Sequence, residues 1–265
     1  MDLQELCQAI ELPPEVCRAV LEIRNFPSDE ALQALTRPET AAEVFAQLAK
    51  QVTAEERGLD MLAWMLRAGL YTYAEYERRG IEDTVYLDTM KCFSRFVGEH
   101  KASYGIYGFD RGFWAYRQLS LTLFRLGELE YEWTREGREI GLHVPSDADI
   151  SLPQCRRSLA MFQSFARKFF PQEQRPIGIE SWLLSPALEE LLPPESKINR
   201  FRNSFRLTRW NKEDAGFLQW IFGRDDIPTG ELPETTSLQK KVKARLLRGQ
   251  PVGTGCGILV SFEDP

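Results

Sequence analysis

The chain has 265 residues, 43% of them hydrophobic and 27% charged, and a formal net charge of −6. These proportions are ordinary for a globular protein and exclude a disordered one. The length allows one large domain or two modest ones. The acidic balance disfavours a protein that binds the phosphate backbone of nucleic acids.

The spacing of the cysteines, the number of histidines and the length of the apolar runs exclude further classes of protein. The five cysteines are widely spaced and form no C-x-x-C pair, and the two histidines are His100 and His143. Such spacing disfavours structural zinc and a disulfide framework. No apolar run reaches the roughly 20 residues that a membrane span needs, and the first residues do not resemble a secretory signal. We therefore expect a cytoplasmic protein with no metal, whose partners include neither nucleic acid nor membrane.

The first hundred or so residues predict a series of short helices. Apolar residues repeat there every three or four positions, as on one face of a helix. Thr40 with Glu43, and Thr53 with Glu56, each have the spacing of a capping box. A further helix is predicted from Asp83 to about Val97. Because no longer period is evident, the pattern does not indicate a helical-repeat protein.

After Gly105 the pattern changes. A helix is predicted from Phe113 to Phe124, and two segments of alternating hydrophobicity follow at residues 127–133 and 139–144. Apolar and polar residues that alternate with a period of two are typical of a half-buried strand. The two segments are separated by a short polar turn. They therefore predict a β-hairpin.

The rest of the sequence predicts alternating helices and strands. A long amphipathic helix begins after its expected N-cap Ser151 and runs to about Phe169. Strands are predicted in residues 177–184, 205–210 and 256–262, with helices between them. This order predicts an α+β layer built on one sheet.

We therefore predict two domains of an α+β protein, an all-helical one at residues 1–105 and a mixed-sheet one at residues 106–265.

Two segments of the second domain resemble parts of a known family. Their sequences are GLHVPSDADISLPQCRRSLAMFQSFARKFF and PIGIESWLLSPALEELLPPESKINRFRNSF. They are similar to the fourth strand and acyl-CoA-binding helix, and to the fifth strand and following helix, of GNAT-like acyltransferases. With the helical first half, the chain resembles a bacterial group that joins a helical N-terminal domain to a GNAT-like C-terminal domain.

The resemblance implies an acyl-CoA-dependent acyltransferase. The donor would be acetyl-CoA or another acyl-CoA, and the acceptor an amine or hydroxyl of a small molecule or peptide, with an amine favoured. Transfer would be direct, without a covalent enzyme intermediate. A backbone N–H beside His143, at Val144, would polarise the thioester carbonyl. Asn199 falls where many such proteins carry an asparagine that contacts the pantetheine arm; alternatively it caps its helix.

The sequence departs from the family pattern where the CoA pyrophosphate normally binds. The glycines of the usual Q/R-x-x-G-x-G/A signature are missing at the start of the long helix. Arg156 and Arg157 are candidates to bind the phosphates in their place. Asp147 and Asp149 lie nearby and would repel a phosphate.

Two kinds of side chain are candidates for the catalytic base. His143 is a candidate general base, because a neutral imidazole accepts a proton near neutral pH; alternatively it is a structural histidine before a turn. Glu128, Glu130 and Glu132 share one strand face. Of these we select Glu130 as a possible base, against the alternative of a solvent-facing sheet surface.

Two neighbouring residues of the next strand are also candidates. Ser181 has a hydroxyl that can donate a hydrogen bond to an acyl or pantetheine carbonyl, and it is retained as a possible catalytic group. Trp182 is a candidate wall of the acyl channel, although core packing would explain it equally well.

A second function belongs to another class. Two features also fit a protein that has lost catalysis. The glycines of the pyrophosphate signature are missing, and Phe201 and Phe205 stand near the point where the family often carries a tyrosine as general acid. Such a protein would act as a ligand-sensing or protein-interaction module.

Overall fold

The computed structural model describes residues 1–52, 57–133, 137–172 and 175–263. The chain forms two compact units, Met1–Arg125 and Leu126–Pro265. The predicted capping box of Thr53 and Glu56 lies outside the described residues.

The first unit is helical. Its helices are α1 (Leu3–Ala9), α2 (Pro14–Glu22), α3 (Asp29–Ala34), α4 (Ala41–Ala49), α5 (Leu59–Arg79), α6 (Asp83–Met90), α7 (Cys92–Tyr104) and α8 (Gly112–Leu119). The longest of them, α5, is buried on most of its surface, which explains its apolar first half. Helices α1, α2, α3, α6 and α8 pack against α5.

Two local predictions for this unit are wrong. Thr40 precedes α4 but does not cap it, because its hydroxyl donates to the carbonyl of Ala34 at 2.6 Å. The helix predicted from Asp83 to Val97 is two helices, α6 and α7. The hydroxyl of Thr89 donates to the carbonyl of Val85 at 2.7 Å, a bond that tends to bend a helix just before such a break.

The helix predicted from Phe113 to Phe124 ends early, at Leu119. The buried hydroxyl of Thr72 donates to the carbonyl of Leu119 at 2.8 Å, and Leu121 adopts a left-handed conformation with φ of 55°. A left-handed residue cannot continue a right-handed helix. The next residues, Leu123–Leu126, instead form the first strand of the sheet.

The two units divide later in the chain than the boundary predicted near residue 105. Helix α8 packs against α4 and α5, so this segment belongs to the helical unit. The change of hydrophobic pattern after Gly105 marks a loop within the unit.

The second unit is built on the sheet, and the division between the units falls within the first strand of that sheet, between residues 125 and 126. After the first strand, the strands alternate with helices as predicted, but each of the last two connections holds two helices where the predicted order has one. The strands are β1 (Leu123–Leu126), β2 (Leu129–Trp133), β3 (Ile140–His143), β4 (Ile177–Ser181), β5 (Phe205–Asn211) and β6 (Thr254–Leu259). The helices are α9 (Leu152–Phe169), α10 (Ala187–Leu191), α11 (Lys197–Asn203), α12 (Phe217–Phe222) and α13 (Ser237–Leu247).

The six strands lie in the order β1-β2-β3-β4-β6-β5. The predicted hairpin is confirmed, because β2 and β3 pair antiparallel. Strand β6 pairs antiparallel with both β4 and β5, whereas β3 and β4 run parallel. The sheet is therefore mixed, as predicted.

Helix α9 covers one face of the hairpin. The ring of Tyr131 stacks on that of Phe162 with centroids 4.3 Å apart, and Trp133 packs beside them. The buried Ser158 hydroxyl donates to the carbonyl of Leu126 and lies 3.2 Å from the Tyr131 hydroxyl. These contacts fix α9 against the sheet and hold its N-terminus near the end of β3.

Candidate functional site

The parallel strands β3 and β4 pair only at their beginnings. Ile140 is aligned with Ile177, and Gly141 with Gly178, and the pairing ends there. Both strands continue beyond this point, but residues 142–143 of β3 and residues 179–181 of β4 do not pair with each other. The two strands therefore diverge toward their carboxyl ends, and an opening begins directly after the glycine pair.

Backbone N–H groups of β3 point into this opening. The N–H of Ile140 donates to the carbonyl of Pro176 at 2.8 Å, so it faces β4. Backbone groups alternate between the two edges of a strand. By this alternation the N–H of Leu142 and then that of Val144 face the same side. The N–H of Val144 lies past the last pair and is placed to donate to a ligand in the opening.

The register also assigns side chains to the two faces of the sheet. Aligned residues of neighbouring strands point to the same face, and successive residues to opposite faces. Gly141 and Gly178 therefore share a face, which His143 and Glu180 also share. We call it the glycine face. Ser181 points to the opposite face, so the structure does not bring its hydroxyl together with His143.

A hydrogen-bonded pair lies on the glycine face. His143 Nε2 is 2.8 Å from Glu132 Oε2, and the two side chains are 25% and 13% exposed. A carboxylate only accepts hydrogen bonds, so Nε2 carries the ring proton and donates a hydrogen bond to Glu132. The lone pair of the neutral ring is then on Nδ1. A carboxylate that orients an imidazole and stabilises its protonated form is a common arrangement for a general base.

Glu132 reaches His143 because Gly141 has no side chain. In the hairpin Glu130 is directly opposite His143, and Glu132 is opposite Gly141. A Cβ at Gly141 would lie 3.2 Å from His143 Nε2 and 3.5 Å from the Cβ of Glu132. The glycine therefore leaves the space in which the diagonal pair forms.

Replacing Gly141 with alanine is expected to lower turnover without preventing folding. The added methyl group crowds His143 Nε2 and turns the ring away from its rotamer, at a cost of about 1 kcal/mol, or about fivefold in rate. The rate of CoA release and the melting temperature measure the two effects. Gly98→Ala is the control, since a Cβ there meets no atom within 4 Å. Equal turnover of Gly141→Ala and the control would contradict the role of this glycine.

Glu130 is the carboxylate selected from the sequence, whereas the bond to His143 described above comes from Glu132. The side chain of Glu130 is only 2% exposed, so the alternative of a solvent-facing strand is wrong for this residue. The alternation correctly placed it on the same face as Glu128 and Glu132. Choosing among the three required the register, which puts the glycine opposite Glu132.

Ser181 and Trp182 have structural contacts. The Ser181 hydroxyl accepts the N–H of Leu183 at 3.2 Å and caps a short 3-10 helix, Trp182–Leu184. Trp182 is half-buried and packs against an apolar cluster that includes Leu188, Phe217 and Val242. These contacts show that both residues have structural roles in the fold. Their assignment to the acyl site remains a prediction.

The loop before α9 is closed by carboxylates. Glu128 Oε2 accepts the N–H of Asp149 at 2.9 Å, and Asp149 Oδ1 accepts the N–H of Ser151 at 3.0 Å. Ser151 is the N-cap residue, as predicted, but its side chain makes no capping bond, and Pro153 removes one N–H from the first turn. Fewer backbone donors therefore point outward here than in a glycine-rich phosphate loop.

Cationic side chains surround this loop. Lys197 Nζ lies 3.0 Å from Asp149 Oδ1 and lowers the pKa of that carboxyl. Arg156 donates to the carbonyl of Phe262 at 2.9 Å, while Arg157 is exposed on the first turns of α9. Lys197 thus offsets part of the repulsion expected from Asp149. Sequence reasoning did not select Lys197, because it comes from a different helix.

Asn199 combines a structural bond with an unsatisfied atom. Its Nδ2 donates to the carbonyls of Leu192 and Pro193 at 3.1 and 3.0 Å. The residue is 3% exposed, and its Oδ1 has no hydrogen-bond partner within the described residues. Ser196, not Asn199, caps α11. An unsatisfied buried acceptor favours the prediction that Asn199 accepts an amide N–H of a ligand.

The part of the chain that the structure describes contains neither a cluster of metal-ligating side chains nor a membrane-spanning helix. Among residues 1–52, 57–133, 137–172 and 175–263, no group of three or more His, Cys, Asp or Glu side chains is arranged to bind a metal ion. In the same part of the chain, no helix has the length and apolar character needed to span a bilayer.

Burial raises the pKa of the Cys155 thiol to about 12, which disfavours this thiol as a nucleophile.

A mixed sheet whose parallel central strands diverge beside a long helix defines the acyltransferase-like fold that the sequence resembled. Residues 123–259 match the model of the GNAT-like C-terminal domain. The chain therefore belongs to the family of proteins with a GNAT-like C-terminal domain. Residues 1–121 match the model of the N-acyltransferase N-terminal domain.

Solved structures of the same fold include acyltransferases. A mutant acyltransferase in complex with octanoyl-CoA has a TM-score of 0.77 and 23% identity, over 97% of this chain and 87% of that one. An acyltransferase in complex with decanoyl-CoA and teicoplanin has a TM-score of 0.71 and 22% identity, over 98% and 99% of the two chains. At these identities the likeness establishes the fold. No curated protein matches the chain.

Proposed function

We propose that this protein is an acyltransferase that carries an acyl group directly from an acyl-CoA to an amine or hydroxyl acceptor, an amine being favoured. The observation that carries the proposal is the opening between β3 and β4 with the His143–Glu132 pair at its edge. The family models support it, and acyltransferases of the same fold bind octanoyl-CoA and decanoyl-CoA.

The donor thioester binds between the diverging strands. The N–H of Val144 donates to the thioester oxygen and stabilises the negative charge that develops there. Asn199 Oδ1 accepts an amide N–H of the pantetheine arm. Arg157 and Lys197, with Arg156 behind them, bind the phosphates that a glycine-rich loop would otherwise bind.

The acceptor approaches from the glycine face. Its nitrogen or oxygen forms a bond to the thioester carbon, and the proton it loses passes to His143 Nδ1. The C–S bond then breaks, and the CoA sulfur leaves with the bonding electron pair and takes up a proton. Glu132 stabilises the imidazolium during this step through its bond to Nε2.

Location and acceptor complete the proposal. The five cysteines are free thiols in the structure, which favours a reducing cytoplasm. The resemblance to a bacterial group favours a bacterial cell as the source of that cytoplasm. The acceptor is a small molecule or a peptide, and neither nucleic acid nor membrane takes part.

Isothermal titration with acetyl-CoA and octanoyl-CoA tests the proposal before any acceptor is known. We expect saturable binding of at least one of them, and weaker binding to the double variant Arg157→Ala/Lys197→Ala. Glu213→Gln, an exposed change outside the residues assigned to the site, is the control and should bind like the wild type. If neither CoA ester binds, the protein is not an acyl-CoA-dependent enzyme, and the interaction-module alternative is favoured.

A further inference from the structure

A cavity of about 500 Å³ lies within the helical unit, beside the segment that joins α2 to α3. Its walls come from that segment, from the start of α3 and from α5. The lining residues are Ile23, Arg24, Phe26, Pro27, Asp29 and Arg67. Cavities of this size commonly bind small molecules. The helical unit therefore has a concave site that the proposed acyl transfer does not use.

The joining segment is fixed in position at both ends. Trp64 of α5 is 3% exposed, and its Nε1 donates to the carbonyl of Asn25 at 2.8 Å. The hydroxyl of Ser28 accepts the N–H of Ala31 at 3.3 Å and caps α3. Between these two anchors the ring of Pro27 restricts the backbone further. The wall of the cavity is therefore formed before a ligand binds.

Two arginine side chains line this cavity. The guanidinium of Arg67 lies over the ring of Phe26, 5.0 Å from its centroid, and this cation–π contact orients it. Among the described residues, Arg67 has no hydrogen-bond or ion-pair partner. Arg24 Nη1 donates to the carbonyls of Leu21 and Ile23 at 2.6 and 3.4 Å, while its Nε and Nη2 bind no atom of the described residues. Most N–H donors of the two groups are therefore available to a ligand.

The carboxylate in the lining does not neutralise the two arginines. Asp29 is exposed, and in the described part of the chain it forms no ion pair with Arg24 or Arg67. Its carboxylate instead accepts a hydrogen bond from the hydroxyl of Tyr71, and this bond raises the pKa of Tyr71. Two guanidinium groups against one carboxylate leave the cavity net positive, although the chain as a whole carries a charge of −6. The charge of the cavity therefore favours an anion.

The number of free donors favours a phosphate over a carboxylate. A single arginine occupies both oxygens of a carboxylate in a bidentate pair. A phosphate monoester has three terminal oxygens and carries close to two negative charges near neutral pH, so it can accept hydrogen bonds from two guanidinium groups at once. The side chains of Ile23, Phe26 and Pro27 add an apolar wall, which suits the organic part of such a molecule.

We propose that this cavity binds a small phosphomonoester, and that Arg24 and Arg67 bind its phosphate. Arg24 follows α2 and Arg67 lies on α5, so a phosphate bound to both links the two segments and stabilises the helical unit. None of these residues takes part in the proposed acyl transfer, so the site stands or fails independently of that function.

Isothermal titration of the whole chain with phenyl phosphate tests the site. Phenylsuccinate, which carries the same ring on two carboxylates, is the matched ligand at the same ionic strength. We expect saturable binding of phenyl phosphate, weaker binding of phenylsuccinate, and a melting temperature that rises with the concentration of phenyl phosphate. Arg24→Gln and Arg67→Gln should each weaken the binding of phenyl phosphate by about tenfold, as expected for the loss of hydrogen bonds to a charged group.

Two control variants make the result specific to the cavity. Arg18→Gln removes the same charge from an exposed position of α2 outside the lining, and should bind phenyl phosphate like the wild type. Arg157→Ala/Lys197→Ala changes the proposed acyl-CoA phosphate site, and should also keep this binding. The inference is overturned if phenyl phosphate does not bind, if phenylsuccinate binds equally well, or if either control variant loses binding. Failure to bind acyl-CoA would remove the proposed function and leave this site unaffected.

Discussion

His143→Ala is expected to lower kcat/KM by about 10²- to 10⁴-fold, the usual contribution of a general base. The imidazole lies at the edge of the opening, with Nε2 bound to Glu132 and the lone pair on Nδ1. Alanine leaves no group there to accept the proton of the acceptor. The ring is partly exposed, so its loss removes little packing, and the folded state should persist.

Turnover and folding must be measured together for this variant. CoA release with an amine acceptor gives the rate, and thermal melting and acyl-CoA titration show that the fold and the donor site are intact. His100→Ala, at the only other histidine of the sequence, is the matched control. Full activity of His143→Ala would exclude the proposed base, whereas a loss of acyl-CoA binding would indicate a structural role.

Glu132→Gln is expected to lower kcat by about ten- to a hundredfold and to leave the KM for acyl-CoA unchanged. The amide cannot stabilise the imidazolium by charge, and the loss of a hydrogen bond to a charged group costs about 1.5–3 kcal/mol. Since Glu132 acts through His143 and touches neither substrate, it is a positioning residue.

A graded series of variants separates positioning from folding. Glu132→Gln keeps a hydrogen-bonding group of the same size, so its kcat should exceed that of Glu132→Ala. In the double variant with His143→Ala, the change at Glu132 should cause no further loss, because the two residues act as a unit. Losses that simply multiply in the double variant would show that Glu132 acts independently of His143.

Much of the fold follows from local patterns in the sequence. The alternation in residues 127–133 and 139–144 predicts the hairpin, and the apolar stripe with Cys155 and Phe162 predicts α9. These patterns suffice because each element buries one face, which fixes its period. Strand β1 was missed because Leu123–Leu126 follows a helix directly, and the break depends on a distant residue, Thr72.

The chemistry of the site could be predicted only in part. His143 and Val144 stand at the end of a predicted strand, where a resemblance to a known fold already gives them roles. The partner of His143 could not be chosen, because Glu128, Glu130 and Glu132 are equivalent by alternation alone. Only the register, with Gly141 opposite Glu132, decides among them.

Residues brought together from distant segments were also out of reach. Lys197 meets Asp149 across 48 positions of sequence, and Glu139 meets Gly178 only because β3 and β4 are parallel neighbours. The glycines at 141 and 178 carry no chemical group that a motif search would select. Their effect is to leave space, and space becomes visible only in the folded chain.

A crystal structure of the protein with a non-hydrolysable analogue of octanoyl-CoA would show whether the donor binds in the opening. We expect the carbonyl group that replaces the thioester to lie between β3 and β4, with its oxygen within hydrogen-bond distance of the Val144 N–H. Its carbon should be open to attack from the face that carries His143 and Glu132. An analogue bound elsewhere, or with its carbonyl on the opposite face beside Ser181, would exclude transfer between β3 and β4.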